Sequence, residues 1–338
     1  MISVVIPVFN EEELIDTLHK RLSTVLKSIG QPWQVVYVND GSRDRSLELL
    51  LHHQAADPRV VVVNLSRNWG HQPAITAGLS IAEGDAVILM DADLQDPPEV
   101  IPEMVAAWQS GTQVVIAQRR SRAERGLRGL MFPLFYKFLG YLSDYPIPLN
   151  AGIFGLLDRQ AVDAINGLTE SNRYLPGLRS WVGFPTGIVW YDRADRLAGA
   201  AKQTFGKLLR YGLDAIFSFS YKPLRLSLFL GLFMAGFALV YGLILVLCRV
   251  LGVGLFGEPV VSGYTSTIVS VLLLGGVQLI CMGVLGEYIG RIYDEVKRRP
   301  LFFIQRVYRA EQPPGRGNGR SARCHDASGV TPPVQGLP

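Results

Sequence analysis

Three oxygen-bearing side chains stand at alternate positions in MDADLQDPPE: Asp91, Asp93 and Gln95. They follow DAVILM, an apolar run that reads as a buried strand. In an extended segment residues i and i+2 face the same way, so the two carboxylates can converge on one point, with Gln95 beside them if the extension continues. Two like charges so placed want a cation between them. A hard divalent ion such as Mg²⁺ takes one or two carboxylates while substrate phosphates complete its sphere. A pair of acids on a surface needs no ion, but these end a buried strand, and that favours the ligand reading. Elsewhere Asp40, in VNDGS, is placed to accept from a base or a ribose, or to form the turn before Gly41. Arg67 and His71, in SRNWGHQ, can approach a diphosphate, or be a surface arginine and a loop histidine.

The elements that carry these residues follow from periodicity. Within residues 1–118 the short β-branched runs SVVIPV, WQVVYVND, VVVVNLS, DAVILMD and TQVVIAQ are separated by helical stretches. In the first of these, Leu14, Leu18, Leu22, Val25 and Leu26 form one stripe. Alternation of this kind predicts an α/β sheet, mostly parallel, and continuous apolar strands predict helices on both of its faces. Ligands of such sheets bind at the carboxyl ends of the strands, where the strand order reverses. The polar clusters PVFNEE, NDGS, SRNWGHQ and DADLQD each follow a strand, so four strand ends should meet at one site.

The second half of the chain meets lipid. A mean hydropathy of +0.22 is high for a soluble enzyme. Residues 226–248 carry no charge and residues 259–286 carry none either, with 268–285 the densest part; each is long enough as a helix to cross a hydrocarbon layer of about 30 Å. Lys222 and Arg225 precede the first span and Arg291, Lys297, Arg298 and Arg299 follow the second, whereas Arg249 alone lies near the loop between them. The positive-inside rule then makes both flanks cytoplasmic. The N-terminus has no basic lead or long apolar core of a signal peptide, so the domain before the spans is expected to stay in the cytoplasm, on the inner membrane if the source is bacterial. Cys248 and Cys281 fall in the spans and Cys324 in the tail, which offers no disulfide framework. The net charge of +4 is small and suits an anionic membrane surface where it sits beside the spans, and no nucleic-acid motif is present.

Between the sheet and the spans, Arg119, Arg120, Arg122, Arg125 and Arg128 precede an apolar stretch broken by Pro133. Residues 204–220 place Phe205, Leu208, Leu209, Leu213, Ile216 and Phe217 on one helical face and Lys207, Arg210 and Asp214 on the other, the pattern of an interfacial helix. The expected organisation is a catalytic domain with juxtamembrane helices over 1–222, a two-helix membrane domain over 223–300 and a tail over 301–338. Beyond Arg309 that tail is Pro/Gly-rich and expected to be mostly disordered.

IPVFNEE, VNDGSRDRS, LSRNWGHQPAITAGLSIAEGD and MDADLQDPPEVIPEMV resemble the successive motifs of family 2 glycosyltransferases with the GT-A nucleotide-sugar fold, and more narrowly the polyprenyl-phosphate glycosyltransferases. The resemblance covers about residues 1–300. It implies inverting transfer of a monosaccharide from a UDP- or GDP-linked sugar to a polyprenyl (undecaprenyl or dolichyl) phosphate. By similarity Pro7, Phe9 and Glu11 contact the nucleoside with Asp40 beside the base, while Asp91, Asp93 and Gln95 surround Mg²⁺ or Mn²⁺ and the diphosphate. Arg119 stands where the family places an arginine on the acceptor phosphate, and RLAGAAK, with Arg196 and Lys202 at its ends, resembles a segment closing over the diphosphate. Two departures stand out. The family's usual Gly-Asp-Phe-Arg reads Gly152, Ile153, Phe154, Gly155, so no base role carries over there; its Ser-Lys-Tyr reads Ala201, Lys202, Gln203 and keeps only the lysine. A family 2 enzyme with another lipid or glycan acceptor, or a non-catalytic nucleotide-sugar-binding membrane protein, is the alternative. The sugar and the nucleotide are left open, and the subunit number too, a homo-oligomer included.

Overall fold

The computed structural model describes residues 1–119, 151–171, 173–192, 222–251 and 263–310. The arginine-rich stretch beyond Arg119, the residues Arg196 and Lys202, the amphipathic segment 204–220 and the tail beyond 310 lie outside the described residues.

Eight strands make one sheet: β1 (Ile2–Val8), β2 (Trp33–Asn39), β3 (Val60–Leu65), β4 (Ala86–Leu89), β5 (Val114–Arg119), β6 (Ala151–Asp158), β7 (Thr186–Tyr191) and β8 (Ile304–Tyr308). Their order is β7-β5-β6-β4-β1-β2-β3-β8. β1 pairs in parallel with β2 on one side and β4 on the other, and β2 with β3, so the order reverses between β1 and β4. β6 runs antiparallel to β4 and β5, β7 lies parallel to β5, and β8 closes the far edge antiparallel to β3. Apart from β6 and β8 the strands all point one way, as the alternation implies. Pro7 is tolerated in this central strand because β4 pairs only as far as Val5, so the missing N–H falls where one neighbour has already ended.

The sheet is covered on both faces. Ile15, Leu18, Leu22 and Leu26 of α1 (Ile15–Ile29) pack with Ile101 and Met104 of α4 (Ile101–Gln109) against Val4, Ile6, Val35 and Tyr37. Each fully buried aliphatic side chain there contributes about 1.5–3 kcal/mol. α2 (Ser46–Ala56) adds Leu50 to the same face. On the opposite face α3 (His71–Ile81) and α5 (Arg159–Gly167) bury Ala74, Ile75, Leu79, Val162 and Ile165 against Val5, Val36 and Val87. A short helix, α6 (Leu175–Trp181), follows α5.

Two long helices complete the description: α7 (Lys222–Leu251) and α8 (Gly263–Lys297). They contain residues 226–248 and 268–285 of the expected spans, and both are apolar over lengths that could cross a membrane, with windows at Ser227–Ile244 and Leu273–Lys297 and no part of either window buried in the protein. Cys281 Sγ reaches Ser227 O at 3.7 Å, a contact between the pair.

The structure corrects two expectations. β4 ends at Leu89, so Asp91 and Asp93 stand in a turn rather than on an extended strand. The segment from 301 onward begins inside the catalytic sheet, because Ile304–Tyr308 pairs with β3. Its five residues, IQRVY, lack an alternation long enough to read as a strand in isolation; the β3 edge supplies the hydrogen-bond partners.

Candidate active site

All strands except β6 and β8 end on one rim of the sheet, and β6 and β8 start there. Pro7 to Glu11, Asp40, Arg67, Asp91 and Arg119 therefore stand on one edge, as their positions after strands imply.

On the β1–β2–β3 side a cavity of about 500 Å³ is lined by Phe9, Asn10, Gly41, Ser42, Arg67 and Gln305, among others. Its walls are loops tied together by short hydrogen bonds. Asn10 Oδ1 accepts from Arg43 N at 2.8 Å, Ser46 Oγ accepts from Glu11 N at 3.0 Å and Asp44 Oδ2 accepts from Glu12 N at 3.2 Å. Phe9 is 42% exposed and offers a flat face to the cavity. The Arg67 guanidinium lies 3.9 Å from the centre of the Trp69 ring. Gly41 adopts φ +66, and a Cβ there would stand 2.5 Å from the Arg67 carbonyl carbon, so the glycine is required both by its turn and by the close passage of the β3 loop.

Asp40 is 3% exposed and spends both oxygens on that loop, Oδ1 accepting from Trp69 N at 2.7 Å and Oδ2 from Gly70 N at 3.0 Å. Burial raises its pKa, against the two N–H bonds and the charge of His71. These bonds are neither a contact to a base or ribose nor the turn before Gly41: Asp40 holds the β3 loop and fixes the entry to α3. A row of amides runs behind it. Asn39 Oδ1 accepts from Ser42 N at 3.3 Å, Asn39 Nδ2 donates to Asn64 Oδ1 at 2.7 Å, and Asn64 Nδ2 donates to Gln305 Oε1 at 2.9 Å. Gln305 was not foreseen, since it lies some 240 residues from its neighbours and its strand was read as tail.

At the switch point, Asp91 Oδ1 meets His71 Nε2 at 2.8 Å. Burial opposes protonation of this imidazole, but the bond to Asp91 and the charges of Asp91, Asp40 and Asp93 outweigh it and raise its pKa. Asp93 Oδ1 accepts from Gln95 N at 3.1 Å. Between them Leu94 has φ 56, a left-handed conformation that costs a non-glycine residue of order 1–3 kcal/mol and that the surrounding core, with Leu94 only 2% exposed, must hold. Gln95 is buried, and among the described residues its Oε1 has no hydrogen-bond partner. An amide oxygen without a partner, close in the chain to two carboxylates after a strand end, is an all-oxygen, anionic donor set of the kind that fits a hard divalent cation.

Across the switch point, Arg119 ends β5 in register with Tyr191 of β7. Its Nε donates to Tyr191 Oη at 3.0 Å and its Nη2 lies 3.4 Å from Asp96 Oδ1, while Tyr191 Oη donates to the same oxygen at 2.5 Å. Burial raises the pKa of Asp96, helped by the charges of Asp91 and Asp93 and opposed by Tyr191 and Arg119. Those mutual effects mark Asp91, Asp93, Asp96 and Arg119 as one electrostatic neighbourhood. The sequence signal for Asp96 was visible as the third acid of DADLQDPP; for Tyr191, on a strand not foreseen, none was.

The family model described as Glycosyl transferase family 2 matches residues 3–165, and one described as GtrB C-terminal hairpin matches residues 222–292. The bactoprenol glucosyl transferase of Shigella phage SfII is 44% identical over 309 residues, covering 91% of this chain and 98% of that protein. The uncharacterized glycosyltransferase YkcC of Bacillus subtilis (strain 168) is 44% identical over 310 residues, covering 91% and 94%. Among solved structures, glucosyl-3-phosphoglycerate synthase from Mycobacterium tuberculosis in complex with Mn²⁺, UDP-glucose and phosphoglyceric acid is 20% identical, with a TM-score of 0.41 over 64% of this chain and 77% of that one.

Proposed function

The chain belongs to glycosyl transferase family 2, and on that premise we propose that it transfers a monosaccharide from a nucleoside-diphosphate sugar to a polyprenyl phosphate at the cytoplasmic face of a membrane. The similarity to proteins named for bactoprenol, itself a polyprenol, spans the spans as well as the catalytic domain. The observation that carries the reading is the pairing of two ends on one rim: acids and an orphaned amide oxygen at Asp91, Asp93 and Gln95, and a guanidinium at Arg119 beyond them.

The nucleoside enters the cavity beside Phe9, where Arg67, also in its lining, meets the diphosphate; Pro7 and Glu11, which the resemblance assigns to the nucleoside, flank Phe9 in the chain but do not line the cavity. Asp91, Asp93 and Gln95 would hold Mg²⁺ or Mn²⁺, which when bound neutralises charge on the diphosphate. His71 orients Asp91 through their hydrogen bond, as an outer partner of a ligand does. Arg119, steadied by Tyr191 and Asp96, holds the acceptor phosphate. A phosphate oxygen attacks the anomeric carbon, the bond from that carbon to the diphosphate oxygen breaks, and the nucleoside diphosphate leaves with the electron pair. A phosphate monoester is already anionic near neutral pH and needs orientation more than a base, so the site's work is electrostatic.

Incubation of the full chain in detergent with polyprenyl phosphate and radiolabelled nucleotide sugars should move label into the lipid phase. Asp93→Asn should lower turnover by about 10²-fold or more while the protein still folds. Full activity in excess EDTA would end the metal assignment, and an Arg119→Ala enzyme with undiminished transfer would end the acceptor assignment.

A further inference from the structure

Arg179 of α6 is the largest fully buried side chain among the described residues. Among the described residues no carboxylate pairs with it. Its Nη1 donates to Ile153 O at 3.2 Å and its Nη2 to Gly152 O at 3.0 Å, and its Nε has no partner. Burial lowers its pKa to about 10, with the charge of Tyr174 opposing. An uncompensated buried guanidinium is costly, and a chain that needed only core at this position would carry an aliphatic residue.

The two carbonyls explain what it does. Along β6, Gly155 faces Ile116 of β5, but the next matched pair is Gln118 with Ala151. β4 pairs with β6 only as far as Gly155. Residues 152–154 are thus matched on neither side and bulge from the sheet beside the turn that carries Asp91 and Asp93. Arg179 takes up the carbonyls that the bulge leaves over. Room for it exists because residue 155 is glycine: a Cβ there would stand 3.2 Å from Arg179 Nη1 and 2.5 Å from Val115 O. On its other side the bulge faces Arg119: a Cβ added at Gly152 would come within 3.6 Å of Arg119 Nη2. Phe154, inside the bulge, meets the Tyr191 ring edge-on with centroids 5.5 Å apart, and Tyr191 holds Arg119.

We infer that Arg179 is a positioning residue for the acceptor phosphate: it fixes the 152–154 bulge, and the bulge sets Arg119. The inference rests on Arg119 serving the acceptor, as proposed above. Arg179 itself lies beneath the rim and touches no substrate.

The test uses the full-length protein in detergent. Nucleoside-diphosphate affinity is measured by calorimetry, and KM for polyprenyl phosphate at saturating donor, for Arg119→Ala, Arg179→Leu, Arg179→Lys and the Arg119→Ala/Arg179→Leu pair. Arg179→Leu should raise the acceptor KM about tenfold or more and leave nucleotide affinity within about twofold, and the pair should be no worse than Arg119→Ala alone. Arg179→Lys, whose ammonium lacks the two-pronged geometry, should show the same split in weaker form, and it decides the matter if the leucine variant does not fold. Wild-type acceptor KM in both Arg179 variants, equal losses of donor and acceptor binding, or multiplicative effects in the pair would overturn the inference while leaving the acceptor site in place. A wild-type acceptor KM in Arg119→Ala would remove that site and this inference with it.

Discussion

His19 shows how a single residue can set the acid limit of the domain without touching the site. Its Nδ1 lies 3.1 Å from Tyr37 Oη and its Nε2 3.3 Å from Ser23 Oγ, with the His53 ring centre 4.2 Å away and tilted by 30°. Burial first, then the charge of His53, lower its pKa from the ordinary 6.5 to about 4, against Asp57 and Asp16. The folded protein therefore binds this proton less readily than the unfolded chain. The stability that His19 contributes is fully present above pH 6.5 and is lost as pH falls through about 4. His19→Gln should flatten the fall of melting temperature between those limits; an unchanged slope would assign it to other groups. Gly41 makes a second point at this scale. Gly41→Ala meets both a positive φ and the Arg67 backbone, and should cost about 1–3 kcal/mol in denaturant titration and weaken nucleotide binding. Loss of neither would mean that the β3 loop yields.

Among the elements, β8 changes the account most. It returns after the membrane helices to cover the β3 edge, with Ser66 N donating to Phe303 O at 3.0 Å, and it delivers Gln305 to the rim. The amide row is oriented by the backbone N–H of Ser42, so Gln305 offers its Oε1 to Asn64 and keeps its NH₂ for the cavity. Gln305→Ala removes the acceptor from a part-buried amide, a loss of about 1–3 kcal/mol. Nucleoside-diphosphate affinity should fall by about fivefold or more, and calorimetry with the purified full chain checks it. Unaltered affinity would confine β8 to edge protection.

At the scale of the molecule, the proposed reaction needs the rim near a lipid phosphate, and the two long apolar helices bear on how it is held there. α8 has 35 residues, about 52 Å at ~1.5 Å per residue, against a hydrocarbon layer of about 30 Å. Its surplus continues to the catalytic domain, where Glu295 accepts from Ser171 N at 2.7 Å and Ser171 Oγ at 3.3 Å. With β8 this gives two attachments flanking Arg298 to Leu301, which makes α8 a strut. Glu295→Ala should lower transfer to polyprenyl phosphate severalfold with donor affinity unchanged; equal loss of both would place the effect in the fold. Both flanks of the spans are basic, so tags at Met1 and Pro338 should be protected in right-side-out vesicles while a cysteine near Gly257 labels from outside. Protection of that loop would exclude two full crossings.

The sequence by itself determined whatever is local or periodic. Five strands were legible because each is a run of β-branched residues flanked by turn formers, and α1 because its leucines repeat at helical spacing. The two long apolar helices were legible as uncharged runs of membrane-crossing length, and the rim positions of Asp40, Arg67 and Asp91 because each polar cluster follows a strand whose end had to lie on one rim, whereas Arg119 was singled out only by the resemblance. Tertiary structure decided what depends on partners far along the chain. It put Asp91 and Asp93 in a turn with Leu94 strained, gave both oxygens of Asp40 to a loop, and brought Tyr191 and Asp96 to Arg119. It also folded residues after the spans back into the first domain. Arg179 lies between these cases: its place among Leu175, Leu178 and Val182 at core spacing is visible in the sequence, but the unmatched carbonyls that hold it exist only once β6 has bulged between two strands. A hydrogen bond needs both its ends, and the sequence shows one at a time.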